Sequence, residues 1–95
     1  MVMIKSFKDA LTEAVANGEI RKGFPTDLIK VARRKLVYLN AATTLDDLRA
    51  PPANRLEALK SDRKGQHSIR VNDQWRLIFR WYNGDALEVR IVDYH

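Results

Sequence analysis

The sequence predicts an α+β fold in one domain, residues 1–95, with two main N-terminal helices packed on one face of a mostly antiparallel sheet of four to five strands. Three observations predict it. Ninety-five residues suffice for one domain and not for two. The apolar period is helical before Pro51-Pro52 and alternates after it. The hydrophobic share of 45% supports a packed core, although a chain this short has a thin one.

The elements follow in order. Met3 to Ser6 is a short apolar lead that reads as an edge strand. Ser6 and Asp9 have the spacing of a capping box, in which each side chain satisfies the other's free backbone donor. Ala10, Leu11, Ala14 and Val15 recur at helical spacing, and Asn17-Gly18 stops the helix. Thr26 caps a second helix, with Asp27 in its first turn. Leu28, Val31, Ala32, Leu36 and Leu39 form the apolar stripe of that helix. Lys30, Arg33 and Arg34 lie off the stripe, on a solvated face or one that docks an acidic partner. Thr44 with Asp47 repeats the capping-box spacing and marks one extra turn over 44–49.

Residues 55–94 read as four strands whose register can be argued. Trp75, Leu77, Phe79 and Trp81 alternate with Arg76, Ile78, Arg80 and Tyr82. A two-residue turn at Asn83-Gly84 would set Phe79 opposite Glu88. A three-residue loop, Asn83-Gly84-Asp85, pairs Trp81 with Leu87, Phe79 with Val89 and Leu77 with Ile91, and keeps one face apolar. The same test on the preceding hairpin selects the loop Asn72-Asp73-Gln74. It pairs Ile69 with Leu77, His67 with Phe79 and Arg70 with Arg76. Extending the sheet sets Glu57 beside Ser68. The helices cover the apolar face, including both tryptophans and His67. The open face carries Glu57, Ser68, Arg70, Arg76 and Tyr94, with His95 close by.

Composition narrows the chemistry. No cysteine means no disulfide, no zinc–thiolate site and no thiol nucleophile. Two histidines are a poor donor set for a transition metal, and the four glycines form no phosphate-cradling loop. No cofactor is expected. No stretch approaches the length of a membrane span, and MVMIKSFKDALTEAV lacks the parts of a signal peptide, so a cytoplasmic protein is expected. Seventeen Lys+Arg against twelve Asp+Glu give +5, spread along the chain, as suits a polyanion or an acidic partner, or simply a soluble basic protein. Arg70 opposite Arg76 is unfavourable in a sheet unless something neutralises the pair, either an anion between them or carboxylates such as Glu57 or Asp93. Lys60, Arg63 and Lys64 sit in KSDRKG, a polar turn or a contact to a phosphate backbone. Arg, Tyr, His and carboxylate groups can supply the base, the acid and the cation that RNA cleavage requires.

The stretch NRLEALKSDRKGQHSIRVNDQWRLIFRWYNGDALEVRIVDYH resembles the C-terminal half of the HigB toxins, the plasmid-maintenance killer-protein branch of the RelE/ParE superfamily. MIKSF and VARRKLVYLNAATTLDDLRAPPANRLEAL fit the same family, so the resemblance covers nearly the whole chain. It implies a type II toxin that cleaves mRNA on the translating ribosome. It also implies a HigA-type antitoxin with a helix-turn-helix domain, through which alone the toxin meets operator DNA. The family's catalytic ending maps onto Asp93, Tyr94 and His95, and the arginine of its WR motif onto Arg76. Where a relative has a catalytic His early in the sheet, this sequence has Glu57, which leaves Glu57 or Asp93 to generate the nucleophile. Lys60, Arg63, Lys64 and Arg70 would hold RNA or ribosomal phosphates. Superfamily fold alone does not fix the target. A ParE-type inhibitor of DNA gyrase and a module acting mainly as co-repressor therefore remain as rivals.

Overall fold

A computed structural model describes residues 4–19 and 24–93. Helix α1 spans Ala10–Ala16 and α2 spans Thr26–Ala41. Four strands follow: β1 (Glu57–Ala58), β2 (Gln66–Arg70), β3 (Trp75–Tyr82) and β4 (Asp85–Asp93). They form an antiparallel sheet in the order β1-β2-β3-β4. Each neighbour in sequence is a neighbour in space, so short hairpins build the whole sheet.

Both helices lie on the predicted face. Leu28, Ile29, Ala32, Leu36 and Leu39 of α2 and Val15 of α1 pack against Ile69, Leu77, Phe79, Val89 and Ile91. Leu39, Leu77 and Phe79 are fully buried, and each such side chain contributes roughly 2–3 kcal/mol of apolar burial. The tryptophans face inward as expected. Trp75 meets Phe24 edge-on at 5.5 Å, and Trp81 meets Phe79 at 6.3 Å.

The helix ends differ in part from the sequence expectation. Asp9 alone caps α1, its Oδ1 accepting from the Thr12 amide at 2.8 Å. Ser6 is engaged elsewhere, because its Oγ accepts from the Glu88 amide at 2.9 Å. Thr26 is the first residue of α2 and not its cap. Pro25 holds the cap position, where its fixed φ of −56° precedes the helix without a side-chain bond. The Thr44–Asp47 capping box forms and opens a short 3-10 turn over Leu45–Arg49. The N-terminal lead is no full strand. Ile4 and Phe7 make isolated parallel bridges to Ala86 and Val89 of β4, and Met3 lies outside the described residues.

The β2–β3 register is the predicted one, with His67 opposite Phe79, Ile69 opposite Leu77 and Arg70 opposite Arg76. Asn72 secures it, since its Oδ1 accepts from the amides of Gln74 (2.9 Å) and Trp75 (2.8 Å). Glu57 pairs with Ser68, also as predicted.

The β3–β4 turn corrects the expectation. Tyr82 pairs with Asp85 and Trp81 with Ala86, so the turn has two residues, Asn83 and Gly84. Both have positive φ, 51° and 81°, which matches the strand twist in a two-residue hairpin. A bulge then restores the apolar face. Arg80 pairs with Leu87 but Ile78 pairs with Arg90, leaving Glu88 and Val89 together opposite Phe79. Glu88 adopts φ 52°, so Val89 turns inward and is fully buried. Ser6 satisfies the Glu88 amide, and Arg80 Nε donates to its carboxylate at 3.0 Å, which holds that carboxyl below its ordinary pKa.

A left-handed residue with a branched side chain is strained by about 1–3 kcal/mol. Glu88→Val should therefore lower the urea unfolding free energy by about 2 kcal/mol, with Glu88→Gly costing less than half as much. Equal losses in the two variants would mean that the ion pair, and not the backbone, matters at this position.

Candidate active site

Arg76 lies near the β2–β3 turn on the face away from the helices, and only 8% of it is exposed. Its Nη1 lies 3.1 Å from Glu57 Oε1, across β2. Its Nη2 donates to the carbonyl of Arg55 at 2.7 Å. A guanidinium fixed at both ends costs little further entropy when it meets an anion. Its field is also less screened than that of an exposed cation.

The Arg55 carbonyl has its own support. Arg55 is left-handed (φ 46°) and follows a short 3-10 turn over Pro52–Asn54. Asn54 is fully buried, and its Nδ2 donates to the carbonyls of Leu48 (3.1 Å) and Ala50 (3.2 Å). Its Oδ1 accepts from Lys35 Nζ at 2.5 Å. Lys35 sits on the buried side of α2, and burial pushes its pKa down. A polar chain thus runs from α2 through Asn54 to the backbone that holds Arg76. The sequence reading missed Lys35 and Asn54. The available signal was a lysine within the apolar spacing of α2, one residue before Leu36.

The two opposed arginines do not share one ligand. Arg70 is ion-paired with Asp73 in the β2–β3 turn, whereas Arg76 is paired with Glu57. Separate carboxylates relieve the like-charge opposition that the register creates. The face is also less open than expected. Ser68 and Ile78, which continue the Glu57 row across β2 and β3, are fully buried.

The remaining candidates are spread out. Asp93 pairs with Trp75, and strand alternation sends it to the opposite side from Arg76, where Gln74 Nε2 donates to it at 2.9 Å. Lys60, Arg63 and Lys64 are exposed in the β1–β2 loop. That loop adjoins Gln66, about 14 Å along β2 from the Arg70–Arg76 row. Tyr94 and His95 lie outside the described residues. His67 lies on the helix side, stacked on Phe79 at 6.2 Å. Among the described residues no three His, Asp or Glu side chains are grouped to hold a metal ion, and no helix is long and apolar enough to cross a membrane.

A family model described as the RelE-like toxin of the type II toxin–antitoxin system HigB matches residues 5–95. The protein named Toxin HigB-1 of Vibrio cholerae serotype O1 is 44% identical over 86 residues, 90% of each chain. An uncharacterized protein of Haemophilus influenzae is 43% identical over 69 residues, 73% of this chain and 68% of its own. The Endoribonuclease HigB of Proteus vulgaris is 33% identical over 93 residues, 98% of this chain and the whole of its own.

Burial lowers the pKa of His67 from its ordinary 6.5, so the folded chain prefers the neutral ring. That preference contributes stability above pH 6.5 which is lost as pH falls toward the folded pKa, because the unfolded chain then binds the extra proton. Urea midpoints between pH 7 and 5 should fall in the parent chain and fall less in His67→Leu. Identical pH profiles would show that His67 titrates as it does in water.

Proposed function

The chain belongs to the HigB family of RelE-like toxins of type II toxin–antitoxin systems, and from that premise we propose that it is an endoribonuclease that cuts messenger RNA on the translating ribosome. The cut arrests translation and growth in the cytoplasm and uses no metal ion. The observation that carries this reading is the nearly buried Arg76, clamped between Glu57 and the Arg55 carbonyl on the face away from the helices.

RNA cleavage by internal attack needs three groups. A base takes the proton of the ribose 2′-hydroxyl as its oxygen attacks the adjacent phosphorus. A cation meets the charge that builds on the phosphorane oxygens. An acid protonates the departing 5′-oxygen. We assign the cation to Arg76 and the acid to His95. Glu57, whose carboxylate lies 3.1 Å from Arg76, is the better placed base, because Asp93 alternates to the far side of β4. Asp93 then orients the end of β4, and Tyr94 stacks on or orients the nucleotide. Lys60, Arg63, Lys64 and Arg70 take phosphates of the RNA or the ribosome. A type II system implies an antitoxin. We assign a HigA-type partner with a helix-turn-helix domain, which carries the pair to operator DNA.

Producing the chain alone in bacteria and mapping 5′ ends across transcripts tests this. Cuts should fall within translated frames and vanish when translation is blocked. Arg76→Ala should cut at least about 10²-fold more slowly and bind antitoxin as before. Glu57→Gln keeps a hydrogen-bond partner for Arg76 but accepts no proton, and should lose about 10²–10⁴-fold. A fully toxic Arg76→Ala variant would sink the assignment. Growth arrest with intact mRNA and damaged DNA would point to gyrase instead.

A further inference from the structure

The face that carries Arg76 holds a second guanidinium with a different environment. Arg90 of β4 pairs with Ile78, so it projects to the same side as Ile78, Arg76 and Arg80. Its Nη1 donates to Gln66 Oε1 at 3.3 Å. Gln66 belongs to β2, so the Arg90 side chain spans the whole of β3. Half-buried there, it lies across the row of the fully buried Ile78. Arg70, Arg76 and Arg80 are each ion-paired, with Asp73, Glu57 and Glu88 respectively. Among the described residues Arg90 has no carboxylate ion pair. Its charge does act on the Glu88 carboxylate, but that carboxylate is held in ion pairs by Arg80 and Lys8.

We infer that Arg90, braced by Gln66, is a second phosphate site, which takes the backbone phosphate next to the one held at Arg76. The inference rests on the RNA-cleavage reading above. Arg90 lies one strand over and two residues along from Arg76, about 7 Å along the strand. The Arg76 head turns toward Glu57 and the Arg90 head toward Gln66, so both guanidinium groups lie over β1 and β2 on the same face. Position also argues for it. Gln66 opens β2 directly after the Lys60–Lys64 loop, and its carbonyl accepts from the Leu59 amide at 2.9 Å. Arg90 therefore bridges the basic loop and Arg76, which are otherwise too far apart for one short segment of RNA. A fixed guanidinium recognises phosphate in a way that a mobile lysine does not. The bracing by Gln66 costs little, because an amide oxygen is a neutral acceptor that leaves the guanidinium without an ion-pair partner of its own among the described residues.

The test uses the intact toxin on translating ribosomes. Cleavage rate is measured against ribosome concentration for the parent chain and for Arg90→Met, which keeps the length that covers Ile78. The mRNA carries a neutral methylphosphonate at each of the two linkages on either side of the cut, one at a time. Arg90→Met should raise the half-saturating ribosome concentration about tenfold and leave the maximal rate within about twofold. At one neutral linkage the parent and the variant should become equal, because that phosphate no longer carries charge. A difference that persists at every linkage would mean that Arg90 acts through the fold, and would overturn the site. Equal half-saturation on unmodified mRNA would overturn it as well. Failure of the parent chain to cut any translated mRNA would instead overturn the nuclease reading, and this site with it.

Discussion

Pairing of β3 with β4 decides which side of the sheet every residue faces. β3 is the central strand of the core, and its odd positions must meet the helices for Leu77 and Phe79 to be buried. A two-residue turn at Asn83-Gly84 alone would bring Glu88 opposite Phe79 and carry each later residue of β4 to the wrong face. One left-handed residue at Glu88 absorbs that slip. Val89 and Ile91 are thereby buried, while Arg90 and Val92 stand on the far side with Arg76. The hydrogen bond from the Glu88 amide to Ser6 ties the N-terminal lead to the same irregularity.

The same constraint creates the chemistry of the far face. With the apolar residues committed to the helices, β3 must present Arg76, Ile78 and Arg80 on its other side. Arg70 then falls opposite Arg76, which would be costly without compensation. Asp73 and Glu57 supply it separately. Glu57 thus has two claims on it, as the counter-ion that lets Arg76 be nearly buried and as the assigned base. A carboxylate that is close to a cation and still exposed on its other side can serve both, provided the substrate phosphate replaces it at the guanidinium. Arg76 is held at its other end by a backbone carbonyl, so releasing Glu57 would not set it loose.

Behind that carbonyl lies a buried polar chain from Lys35 through Asn54. Breaking such a network leaves unsatisfied buried groups, at a cost of several kcal/mol. It therefore holds its shape, and it couples the position of α2 to that of Arg76.

Much of this was legible in the residues. The alternation of β3, the loop Asn72-Asp73-Gln74 and the Glu57–Ser68 register all follow from periodicity two and turn chemistry, which are local. The resemblance carried by QWRL and the terminal DYH identified the family. The β3–β4 turn is not legible there, because a bulge at a glutamate has no sequence signature. Backbone strain there is offset by Ser6, more than eighty positions away. The same reason explains Lys35 and Asn54, whose burial depends on where α2 and the 3-10 turns settle against each other. The fold class, most of the register and the side of the sheet on which the arginines stand are thus written in the residues, because strand alternation needs no distant partner. Folding settles the rest: Arg70 and Arg76 take separate carboxylates, Arg76 is nearly buried, and Arg90 crosses β3 to a neutral acceptor. Each of those outcomes is a choice among partners that only the folded chain brings within reach.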